Sequence, residues 1–240
     1  MSAGLDPGAG AILLVDKPVG WTSFNVVSKV RAALRALTGH RVKVGHAGTL
    51  DPLASGLLVL GTGNCTKQLQ QLADEDKTYV AELTLGKSTP SYDAETEVER
   101  ERPWEHLTTE RIGEVLAHFR GEQMQRPPDF SAKRMQGERA YRLARAGETV
   151  DLPAVPVAIH RLELLGRDGP VVKLEVECSK GTYIRSLAHD IGEALGCGAY
   201  LSALRRTASG QLHVSDARTP AEWSQWLDEW AAGRPARPRE

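Results

Sequence analysis

The sequence predicts an α+β fold, a mixed and largely antiparallel central sheet flanked by helices. Three observations predict it. Thr78 to Leu85 alternates between two faces, with Tyr79, Ala81, Leu83 and Leu85 against Val80, Glu82 and Thr84, the period-two signal of a half-buried strand. The runs Val155 to Leu165 and Val171 to Cys178 flank Asp168-Gly169 and read as an antiparallel hairpin. Helical and strand signals do not alternate as βαβ units, which argues against a parallel α/β sheet.

The elements follow in order. Residues 1–10 are rich in Gly, Ala and Pro, a composition that predicts disorder. Ala11 to Val15 reads as a short buried strand, broken by Lys17-Pro18 and Gly20. Ser23 is placed to cap a helix with the stripe Val26, Val27, Val30, Leu34 and Leu37, which Gly39 ends. A Gly-rich loop spans 45–51, and a strand follows around Leu57 to Leu60. Thr108 starts an amphipathic helix carrying Ile112, Val115, Leu116 and Phe119. Residues 127–152 are basic and loop-rich, with one short helix near Ala140. Thr182 to Leu195 reads as a helix with Ile184, Leu187, Ala188 and Ile191 inward and Gly196 at its C-terminal cap. The last ten residues read as frayed.

With 41% hydrophobic and 25% charged residues, the 240-residue chain has the composition of a soluble globular protein of one domain, or two at most. No apolar run approaches the ~18 residues of a membrane helix, and the first ten residues lack a basic signal region, so a cytoplasmic location is expected. Cys65, Cys178 and Cys197 are odd in number and scattered, and the histidines show no ligand spacing. Neither a disulfide framework nor a metal site is expected. The net charge of −1 hides a segregated distribution. Lys17, Lys29, Arg31, Arg35, Arg41 and Lys43 lie in a stretch, Lys17 to Leu50, that contains no Asp or Glu. Such segregation gives a basic face, the footprint of a polyanion partner, on a neutral protein.

The most unusual segment is GHAGTLDPLASGLL, residues 45–58. Its glycines allow close backbone approach to a ligand, and Pro52 biases Asp51 towards an extended backbone, presenting the acid at the mouth of a buried strand. Taken alone, Asp-Pro is a common turn signal. Lys77-Thr78-Tyr79 sets an aromatic ring beside a cation, a pairing suited to stacking on a base. In SKGTYIRSLAHDIG, residues 179–192, Arg185 stands early in a helix after a Gly-containing turn. Taken alone, these read as a core aromatic and a surface charge.

Together with VDKPVGWTS (15–23), DKTYVAELTLG (76–86), SAKRMQGERAYRLARAG (131–147) and CSKGTYIRSLAHDIGEALGCGAYLSALRR (178–206), the segment resembles the TruB family of tRNA pseudouridine synthases, in order from about Ile12 to Arg206. The resemblance implies the pseudouridine synthase fold and isomerisation of uridine 55 in the tRNA T loop. It implies that Asp51 is the catalytic residue, that Tyr79 packs on the target base, that Arg185 pairs with the aspartate, and that His46 helps hold the RNA loop with its target flipped out. Lys17, Arg41, Lys43, Tyr183 and Arg134 are further candidate RNA contacts. The catalytic domain is expected over 11–214, with 127–152 similar to an RNA-clamping thumb. Residues 215–240 are expected to form a short C-terminal tail, too short for a full PUA-type module. Pro90 stands where the family commonly has an acid, and Arg134 replaces the usual Lys.

The chemistry suits such a chain. The isomerisation breaks N1–C1′, turns the uracil and joins C5 to C1′, with no redox step or group transfer. No cofactor is therefore expected. A carboxylate to form or stabilise an intermediate is needed, acting at C6 or at C1′. The base that removes the C5 proton is left open between Asp51 and Tyr79, since a phenol of pKa ~10 is poorly poised unless perturbed. A monomer acting on tRNA without an obligatory protein partner is expected. A guide-RNA-dependent subunit with the same Asp loop is the alternative.

Overall fold

The computed structural model describes residues 6–131, 134–135, 138–139 and 152–232. The elements run β1 (Ile12–Lys17), α1 (Ser23–Thr38), β2 (Val44–His46), β3 (Ala54–Thr62), α2 (Leu69–Asp74), β4 (Lys77–Leu85), β5 (Lys87–Ser88) and β6 (Arg100–Glu101). They continue with α3 (Thr109–His118), β7 (Gly121–Gln125), β8 (Arg134–Met135), β9 (Glu138–Arg139), β10 (Val155–Asp168) and β11 (Val171–Cys178). Last come α4 (Ile184–Ala194), β12 (Ala199–Ser209), β13 (Leu212–His213) and α5 (Pro220–Ala232). The class is α+β, as the patterning predicts; the ladders that join β1 and β2 to β3, and β4, β11, β10 and β7 to one another, are antiparallel, and parallel bridges such as Val15 to Arg218 make the sheet mixed. Among the described residues no helix is long and apolar enough to cross a membrane. The chain divides into two compact units, residues 1–75 with 205–240, and residues 76–204.

In the first unit β1 and β2 both pair with β3, in registers that set Lys17 opposite Gly56 and His46 opposite Leu60. β3 is buried almost throughout, so it reads as a continuous apolar run and not as an alternating one. α1 lays Val26, Val27, Val30 and Leu34 into the core. Its N-cap is Thr22, one residue before the expected Ser23: Thr22 and Asn25 form a reciprocal capping box. Ser23 is instead the first helical residue, and its hydroxyl is engaged elsewhere.

The ends of this unit are more ordered than composition suggests. Residues 6–10, within the stretch expected to be disordered, form a turn in which Asp6 accepts from the Gly8 amide at 2.9 Å, and the Thr62 hydroxyl donates to the Pro7 carbonyl at 2.8 Å. Residues 215–232, expected to be a bare tail, hold α5, whose Trp223 indole donates to the Leu14 carbonyl at 2.7 Å. Trp223 and Leu227 are buried there. The helix is amphipathic at its Trp residues and cannot leave them in water without losing a large apolar area.

In the second unit β4, β11, β10 and β7 form an antiparallel sheet in that order. The predicted alternation of β4 is observed: Tyr79, Ala81, Leu83 and Leu85 are buried, in phase with the buried Lys77 at the strand's start. The hairpin turns at Gly169-Pro170, with Asp168 opposite Val171. α3 begins after the Thr108 cap, whose hydroxyl accepts from the Arg111 amide at 3.2 Å, and packs on β10. The helix expected near Ala140 lies outside the described residues.

One close approach fixes the first unit. At Gly56 the backbone has φ +99°, and a Cβ there would collide with the carbonyl oxygen and amide nitrogen of Arg206 in β12. Gly56→Ala should therefore cost at least about 2 kcal/mol, combining overpacking with a left-handed backbone. Urea denaturation measures it; an unchanged midpoint would show that β3 and β12 separate freely.

Candidate active site

Asp51 stands on the connection between β2 and β3, half-buried, with the buried Ala47 and Leu50 as anchors. Three sets of hydrogen bonds hold this loop. The Ser23 hydroxyl accepts from the Leu50 amide at 2.9 Å and donates to the Leu50 carbonyl at 3.1 Å. The Gly20 amide donates to the Pro52 carbonyl at 2.8 Å. The buried Arg206 donates from Nε to the Leu57 carbonyl at 2.7 Å and from Nη2 to the Gly48 carbonyl at 3.2 Å. Gly48, at φ +92°, reverses the chain between His46 and Asp51 in a conformation that a side chain would strain.

Lys17 is wholly buried at the end of β1. Its ammonium donates to the Trp21 carbonyl at 2.6 Å and to the Pro18 carbonyl at 3.0 Å. Burial pulls its pKa down to about 8, against the opposing pull of the Asp51 charge, and Arg206 lowers it further. Lys17 thus fastens the segment that follows β1 and is buried there, whereas its place in a basic stretch suggests a surface phosphate contact. His46 is half-buried, and desolvation holds its pKa below the usual range, a Gly48 backbone hydrogen bond acting against this and Arg206 with it. Arg41 and Lys43 are exposed and line a cavity of about 580 Å³ with Arg31, Val42, Val44, Gly45 and Thr66. Arg31 donates to the Val44 carbonyl at 3.2 Å. No acidic side chain lines that cavity, so it suits an anion.

In the second unit Tyr79 is 9% exposed and lies opposite Val176 of β11. Arg185 is 5% exposed, far from the helix-surface charge that its spacing alone suggests. The start of α4 is pinned by Gln125, which accepts from the Tyr183 amide at 2.8 Å and donates to the Tyr183 carbonyl at 3.1 Å. The Arg185 guanidinium donates to the Phe130 carbonyl at 3.0 Å and lies 3.6 Å from the Asp93 carboxylate. Asp93 is 2% exposed and also accepts from the Ser91 hydroxyl at 2.6 Å and the Glu95 amide at 2.9 Å. Between them Tyr92, at φ +62°, stacks on His189, with ring centres 3.9 Å apart and planes 13° from parallel. His189 is one helical turn beyond Arg185, so loop and helix are fastened at two successive turns of one face.

Sequence reasoning did not single out Asp93, Tyr92 or Arg206 as site residues, although Arg206 ends the last matched segment. Arg134 lies in β8, whose side chains are outside the described residues. Among the other polar groups, burial pushes the Cys178 thiol up to about 12, which makes it inert as a nucleophile.

Residues 35–184 match the family described as TruB family pseudouridylate synthase (N terminal domain), and residues 185–232 match the tRNA pseudouridylate synthase B C-terminal domain. The chain belongs to the TruB family. It is 49% identical over 222 residues to the tRNA pseudouridine synthase B of Parabacteroides distasonis, covering 92% of this chain and 94% of that one. It is 44% identical to the protein of the same name from Flavobacterium johnsoniae, covering 87% and 92%. Among solved structures it is similar to a chain of a Cbf5-Nop10-Gar1 complex, with a TM-score of 0.70 and 30% identity. It spans 93% of this chain but only 56% of that one. Residues 215–232 thus fall within a family match and not in an unmatched tail.

The depressed Lys17 pKa has a measurable consequence. Between about pH 8 and 10.5 the unfolded chain keeps a proton that the folded chain has lost, so this group raises stability as pH rises through that window. Unfolding free energies of wild type and Lys17→Met, compared at pH 7 and 10.5, should diverge in favour of wild type as the pH rises. Parallel pH profiles would mean that burial does not perturb Lys17.

Proposed function

We propose that this chain isomerises uridine 55 of tRNA to pseudouridine, with Asp51 as nucleophile and without metal, cofactor or partner protein. The observation that carries this reading is the setting of Asp51: a half-buried carboxylate on a loop clamped by Ser23, Gly20 and Arg206, with the buried Lys17 ammonium in its field. A group so fixed loses little entropy on reaching a reactive geometry. The family relationship and the printed names of the relatives support tRNA as the substrate.

In the proposed reaction the target uridine leaves the loop's stack, a step that costs a few kcal/mol, and seats its uracil on Tyr79. Asp51 acts at C6 of the base or at C1′ of the ribose, and the bond it forms there breaks again as the C5–C1′ product is completed, which regenerates the carboxylate. The N1–C1′ bond breaks, the uracil turns, and the C5–C1′ bond forms. The C5 proton is lost to a base in the site and N1 gains one, so atoms and charge balance within the substrate. The family resemblance assigns Arg185 to pair with the aspartate during the reaction, and Asp93, 3.6 Å from its guanidinium, positions Arg185. A planar guanidinium suits this because it is permanently charged and offers two donors to one carboxylate. His46, neutral at physiological pH, contacts the RNA loop. Arg31, Arg41 and Lys43 take backbone phosphates, with Tyr183 and Arg134 as further contacts. The enzyme works in the cytoplasm as a monomer.

The test uses the purified protein alone with an unmodified tRNA transcript and maps pseudouridine. Wild type should modify one T-loop uridine, while Asp51→Asn should lose modification and bind tRNA within a few-fold of wild type. Residual turnover above about a hundredth of wild type would remove Asp51 from the nucleophile role. Activity that appears only when a guide RNA is added would favour a guide-dependent subunit.

A further inference from the structure

Among the described residues of the first unit, the exposed large hydrophobic side chains are Val19 and Phe24, at 65% and 66% exposure. An isolated exposed apolar residue on a soluble protein is unremarkable. These two differ because their backbone is held so firmly. Lys17 donates to the carbonyls of Pro18 and Trp21 on either side of Val19 and Gly20. The Thr22–Asn25 capping box fixes the helix start that carries Phe24. Gly20 and Ser23 bind Pro52 and Leu50, the residues flanking Asp51. Trp21, half-buried between them, has the Lys29 ammonium 5.7 Å from its ring centre. Apolar side chains are thus displayed to water on a backbone fastened to both neighbours of the candidate nucleophile.

We infer that Val19, Trp21 and Phe24 form a stacking platform for an unpaired base of the RNA substrate next to the uridine that is modified. This rests on the reading of RNA as substrate. Three features select a nucleobase as occupant. Single-stranded RNA is held by aromatic and apolar faces that take up splayed bases, with cations beside them for the phosphates. Lys29, Arg31, Arg35, Arg41 and Lys43 lie in a stretch, Lys17 to Leu50, that has no acid, so a polyanion is drawn to it. The hydrogen bonds to Leu50 and Pro52 make the platform continuous with the Asp51 loop. Recognising a neighbouring base there would help to set which uridine reaches Asp51.

Phe24→Ala and Val19→Ser lie at exposed positions and should fold as wild type does. Their affinities are to be measured for a T-arm stem-loop RNA and for a blunt duplex of the same length. Phe24→Ala should weaken stem-loop binding about tenfold and leave duplex binding unchanged, Val19→Ser should act in the same direction, and Phe24→Trp should restore stem-loop affinity. Unchanged stem-loop affinity in Phe24→Ala, or an equal loss for both RNAs, overturns the inference. So does a wild-type dimer that Phe24→Ala dissociates, since the patch would then be an interface between copies. If wild type itself modifies no RNA, the functional reading fails, and the platform falls with it.

Discussion

The buried guanidinium of Arg206 is the constraint on which the first unit depends. A permanently charged group at 2% exposure loses most of its hydration, a cost of several kcal/mol, and tolerates this only where its donors are met. Leu57 and Gly48 meet two of them, and through Gly48 the guanidinium reaches the loop that presents Asp51. The same residue's backbone presses against Gly56, which pairs on its other side with Lys17. Two cations, Arg206 and Lys17, therefore share one interior and repel each other, and the Asp51 charge opposes that repulsion.

The second unit repeats the device with different parts. Arg185 is buried at the start of α4, with backbone carbonyls and Asp93 as partners. Its loop is held by a tyrosine in a left-handed conformation, an arrangement that costs roughly 1–3 kcal/mol and persists only if something else fixes it. The stack on His189 and the hydrogen bonds of Ser91, Asp93 and Thr96 supply that fixing. In both units a buried arginine turns flexible connecting segments into fixed surfaces. Arginine suits this role because carbonyl oxygens can satisfy its fork without removing its charge.

The fold class was legible in the sequence because the signals that carry it are periodic. The alternation of β4, the hairpin at Asp168-Gly169 and the stripe of α1 all survive in the structure within a residue or two. The misses share a physical cause. Lys17, Arg185 and Arg206 are cations, and pattern reading assigns cations to the surface, whereas their burial is decided by backbone carbonyls distant in sequence. Thr22 and Ser23 are both capping hydroxyls, and only the contact of Ser23 with Leu50 decides between them. The helix α5 was overlooked although Trp223, Trp226 and Trp230 recur at helical spacing. The Asp51 segment was weak as a motif by itself and gained its meaning from resemblance across five segments.

In the proposed reaction Arg206 does not meet the RNA; its part is to set the reactivity of Asp51 by fixing its loop. The direct measurement is the single-turnover rate of pseudouridine formation by Arg206→Lys at saturating tRNA, with affinity and thermal unfolding recorded alongside. Lysine keeps the charge but lacks the fork that joins Leu57 to Gly48. The account predicts a rate reduced by about a hundredfold or more in a folded protein whose tRNA affinity stays within a few-fold of wild type. A wild-type rate in Arg206→Lys, or a loss confined to affinity, would contradict it.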